Sequence, residues 1–174
     1  MRECVLVGTS QAGSQPGGLG GDRQKRREQS AGALAYPSPM VVRFEWRGAF
    51  ANDEINELHG AAFTTPVFSE AEWNWVNLTA RHSLGWVVAR DGERLVGFVN
   101  VIWDGLVHAW IQDTMVDPSD HRRGIGTQLV AEAVTATREA GCEWLHVDFD
   151  DDLRRFYFDA CGFSPTNAGL IALR

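Results

Sequence analysis

The sequence has few of the features that place a protein outside a reducing, aqueous environment. Its 174 residues include only three cysteines, Cys4, Cys142 and Cys161, and their spacing fits no metal-ligand pattern. No apolar run approaches the roughly 20 residues that cross a bilayer, and the opening MRECVLVGTS has too short an apolar run for an export signal. We therefore expect a cytoplasmic protein with reduced thiols, no metal and no membrane contact.

The chain is also short of positive charge. It has 16 Lys and Arg against 23 Asp and Glu, for a formal net charge of −7. A nucleic-acid-binding surface usually carries a basic excess, so we expect no nucleic-acid partner. An acidic surface instead favours cationic or neutral partners, and the length suits a single domain with its own core.

Large apolar residues are scarce in the first 39 residues, which are rich in Gly, Gln, Ser and Arg. Such a segment buries too little surface to offset its ordering entropy, so the sequence predicts a disordered tail over residues 1–39. The folded domain is then expected over residues 40–174. Met40 stands directly before the first strand-like run, VVRFEW, which makes it an alternative translation start.

Helical periodicity follows that first strand. Asp53 is expected to cap a helix with an apolar face of Ile55, Leu58 and Ala62. Ser69 and Glu72 have the spacing of a capping box for a second helix. Its buried face is predicted to consist of Trp73, Val76 and Ala80.

The remaining chain has the pattern of a mixed sheet. The runs WVVAR, RLVGFVNVIW and LVHAWIQDTMV are separated by the turns DGE and Asp104-Gly105, which predicts three strands in two hairpins. A helix from Ile125 that ends at Gly141, the strand EWLHVDF, a short helix in LRRFYFDACGF and a last strand in GLIAL follow. The order predicts an α/β (α+β) fold, with a mainly antiparallel sheet and helices on both of its faces.

The stretch HRRGIGTQLV is the most informative local pattern. A helix start carries unpaired backbone N–H groups and the positive end of the peptide dipoles, which together attract an anion. Gly124 and Gly126 let a bulky ligand approach the backbone, and Arg122 and Arg123 add charge at the rim. Alone, Gly-x-Gly fits an ordinary solvated helix start equally well.

In its context, VDPSDHRRGIGTQLV resembles the acyl-CoA-binding segment of the GNAT superfamily of N-acyltransferases. The family pattern Gln/Arg-x-x-Gly-x-Gly/Ala falls on His121, Gly124 and Gly126, with His121 in place of Gln or Arg. FYFDACGF is similar to the family's aromatic-x-x-x-Gly-Phe element. The resemblance covers the chain from about Val41 onward and implies a splayed pair of parallel strands.

The resemblance also implies acetyl-CoA as co-substrate and a set of residues that bind it. Met115 and Val116 would hold the acyl carbonyl and the pantetheine, with the Val116 N–H serving the oxyanion. Asp151 stands where relatives often have an Asn. The implied cofactor-binding residues are Met115, Val116, His121, Arg122, Arg123, Gly124, Ile125, Gly126, Thr127, Asp151 and Phe158.

The catalytic groups are harder to assign. The positions where relatives carry a base correspond to Trp110 and Gln112, which cannot accept a proton, so His108 and Asp113 become the candidates. A structural His108, a base that acts through water, and no base at all remain open alternatives. The family's usual Tyr falls on Phe158, and Tyr157 points about 100° away on an α-helix, although Tyr157 is retained as a candidate acid.

The leading hypothesis is therefore an acetyl-CoA-dependent N-acetyltransferase that acts on a primary amine of a small molecule or a peptide. A non-catalytic acyl-CoA-binding or sensing domain is the alternative, and a dinucleotide-binding oxidoreductase is a distant third because a meander precedes the Gly-x-Gly. A homodimer is left open.

Overall fold

The computed structural model describes residues 41–173 and is built around one five-stranded sheet. The predicted tail and its boundary at Met40 lie outside the described residues. The strands follow the chain in the spatial order β1-β2-β3-β4-β5, antiparallel except for the parallel pair β4–β5. Their bounds are β1 Arg43–Trp46, β2 Ser83–Asp91, β3 Arg94–Trp103, β4 His108–Val116 and β5 Trp144–Val147. The predicted fold class and the meander are confirmed.

Helices cover both faces of this sheet. Helices α1 (Asn52–Phe63) and α2 (Trp75–His82) pack on one face, and α3 (Ile125–Glu139) packs on the other. Adjacent strand residues point to opposite faces, so each strand contributes to both cores. The α3 side includes Val87, Val99, Val101 and Ile111, whereas the α1 side includes Val88, Phe98 and Met115.

Helix α1 buries the predicted Ile55, Leu58 and Ala62, but its first turn differs from the prediction. The helix begins at Asn52, and Asp53 lies inside it rather than at its cap. The Ala51 N–H donates to the Glu54 carboxylate at 2.9 Å, which supplies half of a capping box without a polar cap side chain.

Helix α2 begins later than the sequence predicts. Ser69 and Glu72 do bond to one another, but they close an isolated turn, and Asn74 caps the helix through the Asn77 N–H. The buried helical residues are Trp75 and Thr79, while Val76 and Ala80 are exposed and Trp73 is half-buried. The predicted face was therefore wrong.

Two asparagines of α1 explain the actual face of α2. Asn52 accepts the Trp75 backbone N–H at 2.7 Å, and Asn56 accepts the Trp75 indole N–H at 2.8 Å. Both amide nitrogens donate to the Trp73 carbonyl. Because these bonds draw the Trp75 ring into the core, tertiary contacts override the local capping signal.

In the last third of the domain, the structure confirms part of the prediction made from the sequence. Helix α3 ends as predicted, with Gly141 at a φ of +92° and the Cys142 N–H bonded to the Thr137 carbonyl. The predicted helix after β5 is a 3₁₀ turn, Asp151–Leu153, followed by a π-helix, Arg155–Ala160.

The predicted strand in GLIAL was wrong. Residues 169–173 have no regular structure, and Leu170, Ile171 and Leu173 are 82–94% exposed. A run of apolar residues forms a strand only where a neighbour pairs with it, and none of the described strands does so. No helix within residues 41–173 is long and apolar enough to cross a membrane.

Candidate active site

A gap opens between β4 and the edge strand β5, partway along β4. The parallel pairing runs from His108 and Trp144 to Ile111 and Val147. Strand β5 ends at Val147, whereas β4 continues to Val116 along its other neighbour, β3. The last five residues of β4 therefore have one edge without a strand neighbour among the described residues.

A bulge in β4 lies at the start of this gap. The register with β3 shifts between the pairs Asn100–Gln112 and Phe98–Met115, so Asp113 and Thr114 together face a single residue of β3. Asp113 adopts a left-handed φ of +52°. The bulge re-aims both side chains, and both line a small cavity at this point.

The backbone of Val116 faces the gap. The Asp117 N–H bonds to the Val96 carbonyl at 2.9 Å, and hydrogen-bonded pairs alternate with non-bonded pairs along an antiparallel ladder. The next pair, Gly97–Val116, is thus non-bonded, and the Val116 N–H and carbonyl point away from β3. The backbone groups of Met115 bond to β3. Of these two candidates, Val116 is therefore the one whose backbone groups face the gap.

The turn before α3 has the geometry of an anion site. Arg122 and Gly124 both adopt a left-handed backbone, with φ values of +65° and +78°. Gly124 is the N-cap of α3 and provides no side-chain acceptor, so the first N–H groups of the helix are open to an external anion. An added Cβ on Gly124 would meet no atom within 4 Å, which leaves room for a ligand.

Gly126 is restricted by an aromatic ring. A Cβ at this position would lie 3.3 Å from two ring atoms of Phe156 and 3.6 Å from a methyl group of Val116. Glycine therefore lets the start of α3 approach both the π-helix and the end of β4. Phe156 was not identified from the sequence, where only the FYF run could have indicated it.

The basic residues of the turn have different surroundings. Arg123 donates to Asp91 at 2.8 Å and also pairs with Asp120, whereas Arg122 is exposed and forms no ion pair within residues 41–173. The His121 ring nitrogen Nε2 lies 3.2 Å from the Val116 carbonyl. His121 thus covers the acceptor at the end of β4, while Ile125 is buried in the core and Thr127 is half-buried.

Tyr157 faces β4, contrary to the α-helical register assumed from the sequence. Its buried hydroxyl donates to the Thr114 hydroxyl at 3.3 Å. The reason is the π-helix, because a turn closed by i to i+5 bonds rotates each residue less than an α-turn does. The Cys161 N–H accordingly bonds to the Phe156 carbonyl, five residues earlier. Thr114 was also missed, since a lone Thr in a strand has no distinguishing pattern.

Tyr157 and the bulge enclose a cavity of about 10 Å³, roughly the space that one water requires. Polar and aromatic groups meet around it at the point where β4 and β5 separate. Its lining comprises Phe63, Ile111, Gln112, Asp113, Thr114, Asp148, Phe149, Leu153 and Tyr157. The structure thus brings two of the predicted catalytic residues, Asp113 and Tyr157, to one cavity.

Phe158 and Asp151 lie on a separate groove along β5. The Phe158 ring packs edge-on against Phe149 and contacts the guanidinium of Arg154. The Asp151 side chain is almost fully exposed and lies 3.7 Å from Arg154. Both residues line the groove together with Trp110, so the ring beside the start of α3 is Phe156 and not Phe158.

His108 is remote from the gap. Its Nδ1 lies 2.8 Å from Nε2 of His146, and Trp110 stacks on the His146 ring with centroids 5.0 Å apart. Thr114 lies six positions after His108 along β4, which at about 3.3 Å per residue is roughly 20 Å. This contact favours the structural alternative for His108.

Cys161 is not a nucleophile in this site. Its side chain packs against the α3 core, and burial raises the pKa of the thiol to about 11. The thiol therefore stays protonated near neutral pH, and a protonated thiol is a poor nucleophile.

Comparison with known proteins agrees with this geometry. The family model of the acetyltransferase (GNAT) family matches residues 52–163. The chain belongs to the GNAT acetyltransferase family. No curated protein matches the chain.

Solved structures give the same fold. A GNAT family acetyltransferase from Streptococcus pneumoniae TIGR4 is 22% identical, with a TM-score of 0.58 over 77% of this chain and 100% of that one. Glucosamine-6-phosphate N-acetyltransferase from Arabidopsis thaliana is 18% identical, with a TM-score of 0.59 over 75% and 97%. An aminoglycoside acetyltransferase from an uncultured soil metagenomic sample, solved with sisomicin, is 21% identical, with a TM-score of 0.56 over 75% and 92%. At these identities the likeness establishes the fold alone.

Proposed function

We propose that the protein transfers an acetyl group from acetyl-CoA to a primary amine of a small molecule or a peptide. The observation that carries this proposal is the edge of Val116 in the β4–β5 gap, which pairs with none of the described strands. It is bordered on one side by the α3 turn, residues 121–124, and on the other by Tyr157. A thioester in this gap would meet backbone donors, a phenol and a carboxylate. The free thiols of Cys142 and Cys161 suit a cytoplasmic setting for such an enzyme.

The α3 turn is proposed to bind the pyrophosphate of acetyl-CoA. The open N–H groups at the start of α3 and the exposed Arg122 supply the positive potential that an anion needs. The pantetheine would then run past Gly126 and Phe156 and bond to Val116, after displacing the His121 ring from the Val116 carbonyl. The Val116 N–H can donate to the carbonyl oxygen of the thioester, where negative charge develops during attack.

Tyr157 is proposed as the general acid. In the reaction the amine nitrogen attacks the thioester carbon, the C–S bond breaks, and the leaving thiolate takes a proton. The Tyr157 hydroxyl is fixed beside the gap by Thr114, and it is the one phenol within residues 41–173. A positioned acid typically contributes about 10²-fold or more when protonation limits the rate.

Asp113 is proposed to serve the acceptor amine. Its carboxylate lies at the cavity rim, where it can attract an ammonium group. The ammonium must first lose a proton through water to the solvent, because only the neutral amine can attack. Asp113 can then take a second proton through a water once the N–C bond has formed and the nitrogen has become more acidic. The groove that includes Trp110, Asp148 and Asp151 offers a route for this amine, because an aromatic face and carboxylates both favour a cation.

The proposal is tested by incubating the protein with acetyl-CoA and a panel of primary amines while free thiol is measured. We expect amine-dependent thiol release together with an N-acetylated product detected by mass spectrometry. Tight acetyl-CoA binding without turnover for any amine would instead favour the acyl-CoA-binding or sensing domain. Absence of both would contradict the two hypotheses together.

A further inference from the structure

A charged cluster connects the α3 turn to the β2–β3 hairpin. It consists of Asp91, Arg94, Asp117, Asp120 and Arg123. Asp120 is 4% exposed and accepts hydrogen bonds from Arg94 at 2.6 Å and from Arg123. Arg123 also donates to Asp91, and Arg94 donates to Asp117 at 3.2 Å.

The two guanidinium groups stand between three carboxylates, and two of these carboxylates are buried. Burial alone would raise the pKa of Asp120, but the hydrogen bonds from Arg94 and Arg123 outweigh it and lower that pKa. Asp120 and Asp91 therefore depend on these arginines for a compensating positive charge. An Arg123 side chain that left this cluster for a ligand would leave Asp91, at 9% exposure, without its cation.

The backbone beside Arg123 is strained. Arg122 has a φ of +65°, a conformation that costs a side chain of this size about 1 kcal/mol or more. Such a residue persists where its surroundings determine the geometry. The next residue, Arg123, is held by two carboxylates from different elements, and Gly124 follows with its own left-handed φ.

We propose that Asp91 and Asp120 are positioning residues for the phosphate-binding turn, acting through Arg123, and that Arg123 does not itself contact the phosphate. The cluster holds residues 121–124 so that the open N–H groups of α3 and the side chain of Arg122 face the ligand. Arg122 is then the arginine that meets the anion. This inference rests on the proposed binding of acetyl-CoA.

The sign of one mutational effect separates the two roles of Arg123. If Asp91 merely restrained an arginine that binds phosphate, Asp91→Asn would release it and tighten CoA binding. If the cluster positions the turn, Asp91→Asn weakens CoA binding, and we expect a rise in Kd of roughly 3- to 10-fold. Asp120→Asn is expected to act in the same direction and more strongly, because Asp120 bonds to both arginines.

The experiment measures CoA affinity by calorimetry and compares turnover of acetyl-CoA with that of S-acetylpantetheine, which lacks the pyrophosphate. We expect Asp91→Asn to raise KM for acetyl-CoA with little change in kcat, and to leave KM for S-acetylpantetheine unchanged. Glu54→Gln is the matched control. This variant removes the ion pair of 2.9 Å between Glu54 on α1 and Arg90 on β2. It should lower stability without changing CoA affinity.

Amide hydrogen exchange in the ligand-free protein provides a readout that does not depend on CoA. The Asp91→Asn and Asp120→Asn variants should exchange faster over residues 117–126, while Glu54→Gln should not. Tighter CoA binding in Asp91→Asn, or unchanged exchange in that segment, would overturn the proposal. A wild-type protein that binds no CoA would refute the proposed function, and exchange alone would then decide whether the cluster holds the turn.

Discussion

The two walls of the β4–β5 gap, the α3 turn and the π-helix, differ in their chemical character. The wall at the α3 turn is charged and solvent-accessible, and it is held by the ion pairs of Asp91, Asp120 and Arg123. The opposite wall is the π-helix Arg155–Ala160, whose aromatic rings pack on one another and on Phe149. A charged surface suits the proposed binding of phosphate, whereas an aromatic wall suits the proposed proton transfer to sulfur, because low polarity strengthens hydrogen bonds.

Tyr157→Phe is expected to have the largest effect on the aromatic wall. The substitution keeps the ring and removes only the hydroxyl bonded to Thr114, so CoA affinity and melting temperature should change little. We expect kcat to fall by about 10²-fold or more if protonation of the thiolate limits the rate. Steady-state kinetics and calorimetry check this prediction.

The leaving group provides the control for that variant. An acetyl thioester of a more acidic thiol needs less help from an acid, so the defect of Tyr157→Phe should shrink with such a donor. Equal turnover of the two proteins with acetyl-CoA would show that solvent protonates the sulfur.

Asp113→Asn tests the carboxylate at the rim of the gap. Asparagine tolerates the left-handed φ of +52° at this bulge, so the backbone should be preserved. We expect kcat/KM for the amine to fall by about 10-fold or more, because both the attraction of the ammonium and the proton acceptor are lost. Asp148→Asn is the comparison, since Asp148 lines the same cavity from the end of β5; an equal loss in both variants would indicate a general charge effect.

Gly126→Val tests how close the two walls must approach. The added side chain would press on the Phe156 ring 3.3 Å away and displace it toward the gap. We expect CoA affinity to fall about 10-fold while the fold is retained, with much of the loss being steric. Titration calorimetry and circular dichroism measure the two properties.

Two variants define the origin of that loss. Ala131→Val places the same side chain on an exposed position of α3 and should leave CoA affinity unchanged. Phe156→Ala in the Gly126→Val background should restore part of the affinity, because it removes the ring that the valine side chain would contact. No effect of Gly126→Val on binding would place CoA elsewhere.

The smallest predicted effect uses pH to distinguish the α1 side of the cavity from the charged wall. His59 is buried beneath Phe63, a residue of the cavity lining, and burial lowers the pKa of His59 from its ordinary value near 6.5. At a pH below 6.5, His59 therefore binds a proton more readily in the unfolded chain than in the folded protein. Stability is full above pH 6.5 and should decline as the pH falls below it.

Asp120 behaves in the opposite way in the charged wall. Because its pKa is lowered in the folded state, its contribution persists at neutral pH and is lost only as the pH falls below about 4. Urea unfolding of the wild type and of His59→Gln between pH 4.5 and about 8 separates the two windows. The decline below pH 6.5 should be absent from His59→Gln, and its persistence there would assign it to another group.

The open start of α3 in the charged wall was predictable because its geometry is local. The spacing of His121, Gly124 and Gly126 ahead of an amphipathic helix indicated an open helix start, and the φ of +78° at Gly124 agrees with it. The partners of Arg123 were not predictable, since Asp91 lies 32 residues away on the opposite hairpin. Whether an arginine faces a ligand or a carboxylate depends on contacts that sequence spacing does not record.

The sequence by itself determined the order of the elements up to β5, the mixed sheet and the open start of α3, because periodicity, turn residues and helix ends act over a few neighbouring residues. Tertiary structure decided the start of α2, the unpaired state of residues 169–173 and the direction of Tyr157. Each of these depends on a distant partner: the α1 asparagines, a neighbouring strand, or the packing that accompanies a π-turn. An α-helical count of residues therefore pointed to Phe158, while the folded chain presents Tyr157 to Thr114.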